Sequence, residues 1–189
     1  MPRRSRFLPP GSLHHVVNRG NDKRILFETP RDFEQFLLLI AWAKARAMVR
    51  IVAYCIMRNH WHFVLWPAAV GQVETFQHLL TTTHAIRRRR MTCTVGEGHI
   101  YQDRYHASGI WSEAYYLNVL RYVESNPLRA NLVKSSAQWR WSSLYERLGH
   151  PRHILDDGPM PLPENWLELV DSSLPESVTD EIRNALLKH

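Results

Sequence analysis

The sequence has few cysteines and no long apolar segment. Its two cysteines, Cys55 and Cys93, lie far apart and match neither zinc-ligand nor redox spacing. No stretch approaches the roughly 20 consecutive apolar residues that a membrane-spanning helix needs. No charged-then-apolar leader opens the chain. These absences argue against a disulfide-rich secreted protein and against a membrane protein, so we expect a cytoplasmic protein.

Acidic residues are scarce in the first 149 positions. The net charge of the whole chain is +6, but residues 150–189 contain three basic and eight acidic side chains, which leaves +11 for residues 1–149. A strongly basic body indicates a polyanionic partner, and nucleic acid is the first candidate. Because no basic amphipathic helix with a large apolar face occurs, we expect no membrane partner.

Residues 59–66 form the most informative stretch. They are rich in β-branched and aromatic residues, which predicts a strand. Because strand side chains alternate, Trp61 and Phe63 should point into a core, and His60 and His62 should point together to the other face. Two neutral imidazoles at i and i+2 can share a divalent metal with at least one further ligand. The alternative is a pair of partly exposed histidines with no ligand.

The predicted elements follow the order strand, helix, strand, strand, helix, strand. The strands are expected at residues 13–18, 49–57, 60–66 and within 100–110, and the helices from residue 30 and over 70–91. This order predicts an α+β fold with a ferredoxin-like βαββαβ antiparallel sheet and two helices on one face. The opposite face should be open and carry the histidines. We divide the chain into a basic arm (1–12), a main domain (13–149) and an acidic C-terminal extension (150–189).

A further helix is predicted after the last strand, from the cap Ser112 to Asn126, just before Pro127. One apolar stripe should dock on the body and comprises Tyr116, Val119, Leu120 and Val123. Tyr122 and Asn126 stack one turn apart on a neighbouring stripe, so a phenol and an amide oxygen project toward one place. The proline should free the asparagine side chain to turn toward a metal. The alternative is a packing tyrosine followed by a helix-capping asparagine.

The His-apolar-His strand and the Tyr-x-x-x-Asn-Pro helix together resemble the single-tyrosine HUH transposases. More narrowly, they resemble the REP-associated tyrosine transposases of bacteria. Further matching stretches are residues 16–21, 100–106, 122–133 and 139–143. The resemblance implies a single-stranded DNA endonuclease and strand transferase that acts at REP-type hairpins through a covalent 5′-phosphotyrosine. It does not extend to residues 150–189.

The residue types suit this chemistry. Tyr122 would be the nucleophile. His60, His62 and the amide of Asn126 would hold a divalent metal, Mg²⁺ or Mn²⁺, with positions left for phosphate and water. Glu124 lies on another face of the helix, so we assign no carboxylate as a general base.

Ten basic residues are candidates for contacting DNA phosphates: Arg3, Arg4, Arg6, Arg19, Lys23, Arg24, Arg87, Arg88, Arg89 and Arg90. Nothing acidic lies near residues 87–90 in the sequence, so we favour phosphate contact over a merely solvated face. The resemblance implies single-stranded DNA with hairpins of the REP and BIME type as the partner, bound by a monomer or a homodimer.

Two other functions compete with this interpretation. One is another HUH nuclease, of the replication-initiator or relaxase type, which the short chain and the flanking matches disfavour. The other is a non-catalytic nucleic-acid-binding module on a ferredoxin-like sheet. RNA-recognition modules of that shape place aromatic residues on the exposed face, whereas histidines are expected there in this chain.

Overall fold

The structure, a computed structural model, describes residues 8–92 and 98–187. The strands are β1 (Leu13–Arg19), β2 (Arg50–Ile56), β3 (His60–Trp66) and β4 (His106–Ile110), in the sheet order β2-β3-β1-β4. All three pairings are antiparallel, which confirms the predicted ferredoxin-like sheet. Strand β4 is shorter than the extended stretch predicted over residues 100–110, and ahead of it Tyr101 forms an isolated bridge with Gly20.

Seven α-helices occur in the described residues, and local side chains cap several of them. They are α1 (Pro30–Ala47), α2 (Gln72–Thr92), α3 (Glu113–Glu124), α4 (Asn126–Arg129), α5 (Ser143–Arg147), α6 (Trp166–Asp171) and α7 (Glu176–Leu187). Helix α1 begins with a capping box, because the Thr29 side chain accepts from Asp32 N and the Asp32 carboxylate accepts from Thr29 N. It ends at Met48 in the left-handed conformation, φ 53°.

One face of the sheet packs against α1 and α2 in the first hydrophobic core. Trp61, Phe63 and Leu65 point from β3 into this core and are fully buried. They meet Phe36 of α1 and Phe76 of α2. The predicted alternation of β3 is therefore confirmed, and it turns His60 and His62 toward the other face.

The opposite face of the sheet is covered, so the prediction of an open face is wrong. A second core joins Val52 and Val64 of the sheet to the apolar stripe of α3 and to the helices that follow. Trp166 of α6 and Ile182 of α7 belong to this core. The reason is physical: the second face also carries apolar side chains, including Val52, Ala53 and Val64, and leaving them in water would be unfavourable.

The acidic segment after residue 149 supplies much of that second cover. Helix α7 contacts β4, β1 and α3, and α6 contacts α3. The segment also binds the other side of the molecule, where Asp156 pairs with Lys44 of α1 at 2.8 Å. No helix in residues 8–92 and 98–187 combines the length and apolar character needed to cross a membrane.

Candidate active site

Strand β3 supplies the first half of the site. His60 and His62 lie two residues apart with ring centroids 5.1 Å from each other. The Nδ1 atom of His60 is 2.8 Å from the side-chain oxygen of Asn59, whose amide nitrogen donates to Lys23 O. Because that oxygen only accepts, His60 Nδ1 carries the proton and Nε2 keeps its lone pair. An outward Nε2 with an anchored Nδ1 is the usual arrangement of a metal-binding histidine.

A third histidine, which the sequence analysis missed, supports His62. His15 of β1 is fully buried, and its Nε2 lies 3.0 Å from His62 Nδ1. The two rings stack with centroids 5.2 Å apart. This hydrogen bond fixes the ring of His62 and leaves His62 Nε2 free. The sequence signal was present, since β1 contains adjacent histidines, but the pairing of β1 with β3 was needed to use it.

Burial keeps all three histidines neutral. It lowers the pKa of His60 to about 4, with a further contribution from the cation of Arg19. It lowers the pKa of His15 to about 3. The pKa of His62 falls well below its usual value, first through burial and then through repulsion from His60, His15 and Arg129. The neutral imidazole is the form that binds a metal.

Helix α3 supplies the second half of the site. Ser112 caps the helix by accepting from Tyr115 N, as predicted. The predicted apolar stripe, which includes Tyr116 and Val119, is buried in the second core. This packing brings Tyr122 against the histidines: its ring centroid lies 5.8 Å from that of His62 and 5.9 Å from that of His15, both edge-on.

The chain does not stop being helical at Pro127, contrary to the prediction. Helix α3 ends at Glu124, Ser125 stays in the right-handed helical region, and Pro127 occupies the first turn of α4, a position that tolerates proline. The Asn126 side chain does not turn freely, because its Nδ2 donates to Tyr122 O at 3.0 Å. That bond uses the amide nitrogen, so the amide oxygen is the atom a metal would take.

Arg129 is the second residue near the site that sequence reasoning missed. Its guanidinium lies over the ring of Tyr122, with Cζ 4.3 Å from the centroid. The seven-residue spacing from Tyr122 is two helical turns and would have indicated this contact. The expected helix end at Pro127 concealed it.

Glu124 anchors helix α3, and both of its carboxylate oxygens accept hydrogen bonds. Its carboxylate is fully buried and pairs with Arg147 Nε at 3.0 Å. It also accepts from Ser143 Oγ and from Trp166 Nε1. These bonds tie α3 to α5 and α6, which agrees with leaving this residue out of the reaction.

The donor set consists of two neutral imidazoles and one amide. In residues 8–92 and 98–187, no group of three or more His, Cys, Asp or Glu side chains is arranged to hold a metal ion. A site here therefore depends on the amide oxygen as well as the imidazoles. The phenol of Tyr122 lies beside this donor set.

A family model described as "Transposase IS200 like" matches residues 11–126 of the chain. The chain belongs to the IS200-like transposase family. The match spans both the His-x-His strand and the Tyr122 to Asn126 helix, so this protein is a transposase enzyme and the family resemblance is confirmed. No curated protein matches the sequence.

One solved structure confirms the fold of this transposase, and a second is reported with it. A REP-associated tyrosine transposase bound to a REP hairpin has 18% sequence identity and a TM-score of 0.60, and the match covers 87% of this chain and 94% of the other. A second solved structure, from Deinococcus radiodurans R1, has 16% identity and a TM-score of 0.43 over 65% of this chain and 95% of the other.

The candidate DNA-binding cations have unequal surroundings in this transposase. Arg3, Arg4 and Arg6 lie outside the described residues. Arg19 pairs in register with His60 and donates to Gln102, so it borders the candidate site. Lys23 and Arg24 are exposed in the turn after β1.

The four arginines at the end of α2 also differ from one another. Arg87 and Arg90 are exposed. Arg88 pairs with Glu28 at 2.7 Å, an acidic partner that proximity in the sequence could not reveal. Arg89 donates to Gly98 O. Arg87 and Arg90 are therefore the better candidates for phosphate contact.

Proposed function

We propose that this transposase cuts single-stranded DNA beside short hairpins and rejoins it, with Tyr122 as the nucleophile. The observation that carries the proposal is the position of the Tyr122 ring, 5.8 Å from the ring of His62 on a different element. A phosphate bound at the imidazoles would lie next to the phenol. The element that carries the nucleophile is packed rigidly against the sheet, which favours a fixed attack geometry.

The donors His60, His62 and Asn126 fit a divalent ion such as Mg²⁺ or Mn²⁺. Both imidazoles are neutral and have an anchored Nδ1, and the Asn126 amide oxygen is not used by the hydrogen bond of that side chain. Nitrogen and oxygen donors of this kind suit Mn²⁺ well and Mg²⁺ acceptably. When bound, the ion would polarise the phosphate and offset charge that develops on its oxygens.

The side chains of the protein would carry out the cleavage and rejoining steps. The Tyr122 oxygen attacks phosphorus while the bond from phosphorus to the 3′ oxygen breaks. The phenol proton leaves to solvent and the 3′ oxygen takes up a proton, so the products are a 5′-phosphotyrosine and a free 3′ hydroxyl. Attack of a 3′ hydroxyl on the phosphotyrosine reverses the step and rejoins the strand. His15 holds His62 in one orientation throughout.

Two observations support a hairpin substrate. The solved structure with the same fold, though at low identity, contains a REP hairpin. The body of this chain carries a charge of +11 over residues 1–149, which suits a DNA backbone. Membership of the IS200-like family argues against the replication-initiator and relaxase alternatives and against a non-catalytic module.

Trapping the covalent intermediate tests the proposal. The protein is incubated with single-stranded hairpin DNA and Mg²⁺ or Mn²⁺, and adducts are separated under denaturing conditions. We expect Tyr122→Phe to keep hairpin binding and lose the adduct. Tyr115→Phe is the matched control, because Tyr115 is buried on the same helix but stacks on Trp111 at 3.9 Å, away from the site.

Mass spectrometry then locates the DNA. The proposal requires the adduct on the peptide that contains Tyr122. An adduct on Tyr115, or cleavage at the parent rate by Tyr122→Phe, would show that Tyr122 is not the nucleophile. Unaltered cleavage by the His60→Ala, His62→Ala double variant would show that a metal at these histidines takes no part in the reaction.

A further inference from the structure

Arg129 is a cation with no anion beside it in the described residues. Its Nη1 is buried and has no hydrogen-bond partner there. The guanidinium instead lies over the ring of Tyr122, with Cζ 4.3 Å from the centroid. Its charge also reaches His62, whose pKa it lowers. A buried charged donor without a hydrogen-bond partner is unfavourable unless a bound ligand supplies an acceptor.

Arg89 and Arg152 also have a buried Nε without a partner, but each donates through another nitrogen, Arg89 to Gly98 O and Arg152 to Glu34. Arg147 pairs with Glu124 and donates to Val52 O. Arg121, on the same helix as the nucleophile, donates to Leu169 O and Ser172 Oγ. Arg129 thus differs from these arginines, each of which donates to an oxygen, and its unpaired donor lies at the candidate active site, which indicates an anionic ligand.

We propose that Arg129 is a catalytic residue that binds the scissile phosphate, with Nη1 donating to a non-bridging oxygen. This inference rests on the function proposed above. Tyr122 and Arg129 are separated by two helical turns across α3 and α4, so nucleophile and cation move as one unit. The ring of Tyr122 holds the guanidinium from one side and leaves its edge for the phosphate.

The chemistry of the step explains the need for a second cation. As the bond from the Tyr122 oxygen to phosphorus forms and the bond to the 3′ oxygen breaks, the non-bridging oxygens retain negative charge. Asn126 and the imidazoles would hold a metal at one of those oxygens, and Arg129 would donate to the other. A preorganised donor aimed at charge in the transition state acts in cleavage and in rejoining alike.

Substitution of Arg129 tests this assignment. Arg129→Gln should slow adduct formation at saturating hairpin DNA by roughly 100- to 1,000-fold, the usual effect of losing one such donor. Hairpin affinity and the midpoint of thermal unfolding should change little. The rate of adduct formation by Arg129→Lys should lie between those of the parent and Arg129→Gln, because lysine keeps the charge but not the planar donor geometry. Arg46→Gln is the matched control, since Arg46 lies over Trp42 at a similar 4.4 Å but on α1.

Sulfur substitution at the mapped scissile phosphate separates catalysis from packing. The parent should discriminate between the two phosphorothioate isomers, one being rescued by Mn²⁺. Arg129→Gln should lose sensitivity to the isomer that Mn²⁺ does not rescue. Adduct formation within threefold of the parent rate, or a rate loss with unchanged sensitivity to both isomers, would overturn the role of Arg129. A parent protein that forms no adduct with any hairpin would instead overturn the proposed function.

Discussion

The buried carboxylate of Glu124 offers a quantitative test of how helix α3 is held against the rest of the protein. In Glu124→Gln, one amide oxygen and one NH₂ group replace two acceptors. One carboxylate oxygen accepts from Ser143 and Arg147, and the other accepts from Trp166 Nε1. Whichever way the amide turns, its NH₂ group faces at least one donor. The substitution therefore breaks a buried ion pair and also leaves a buried donor unsatisfied.

The expected loss is large for one substitution. Removing one partner of a buried ion pair costs about 3–5 kcal/mol, a major part of the roughly 5–15 kcal/mol that stabilises a typical protein. For a chain of this size, each kcal/mol lowers the unfolding midpoint by about 2–4 °C. We therefore expect the midpoint of Glu124→Gln to fall by roughly 6–20 °C.

Denaturant unfolding, followed by tryptophan fluorescence, measures this loss. Trp166→Phe is the companion variant: it removes the indole donor, worth about 1.5–3 kcal/mol, and also part of a ring buried in the second core, so its total cost should be larger. The double variant should lose less than the sum, since the two residues share a bond. Below its midpoint, Glu124→Gln should still form the covalent adduct. A cost under 1 kcal/mol, or full stability combined with no adduct, would refute the anchoring role.

Three further predictions address stability and binding. Burial lowers the pKa of His84 to about 3, below its unfolded value of about 6.5, so the unfolded chain binds a proton that the folded chain excludes. The stability that this residue contributes should be complete above pH 6.5 and fall as the pH drops, by about 2 kcal/mol at pH 5. Urea titrations of His84→Gln should show a shallower dependence of the unfolding free energy on pH. Replacing Arg87 and Arg90 with Gln should lower the salt slope of hairpin binding by about 1.4, whereas Arg88→Gln should not, and equal slopes for all three proteins would place this face outside the interface. Ile182→Ala should cost about 2–5 kcal/mol of unfolding free energy, and a calorimetric change below 1 kcal/mol would show that α7 contributes little to the second core.

Local periodicity explains what could be predicted from the sequence. The alternation within residues 60–66 is enough to turn His60 and His62 to one side. The helical repeat is enough to bury Tyr116 and to place Tyr122 and Asn126 one turn apart on a neighbouring stripe. Both patterns depend on backbone geometry within a few residues. The cap at Ser112 is equally local.

Long-range pairing explains what could not be predicted. His15 contacts His62 only because β1 pairs with β3 in one register, and 47 positions separate the two residues. The cover on the second sheet face comes from α3, α6 and α7, which the expected open face left out. Arg129 was missed for a different reason: proline disfavours a helical conformation at the preceding residue, but here it begins the next helical turn.

The cover that α6 and α7 place on the second sheet face also has a consequence for the order of synthesis. His60, His62 and Tyr122 lie in the first 122 positions, but the core that packs α3 against the sheet includes Trp166 and Ile182. A nascent chain can pack α1 and α2 on the sheet well before those residues leave the ribosome. Tyr122 would reach its place beside His62 only afterwards, so the fold itself delays assembly of the proposed site until residues 166–182 have emerged.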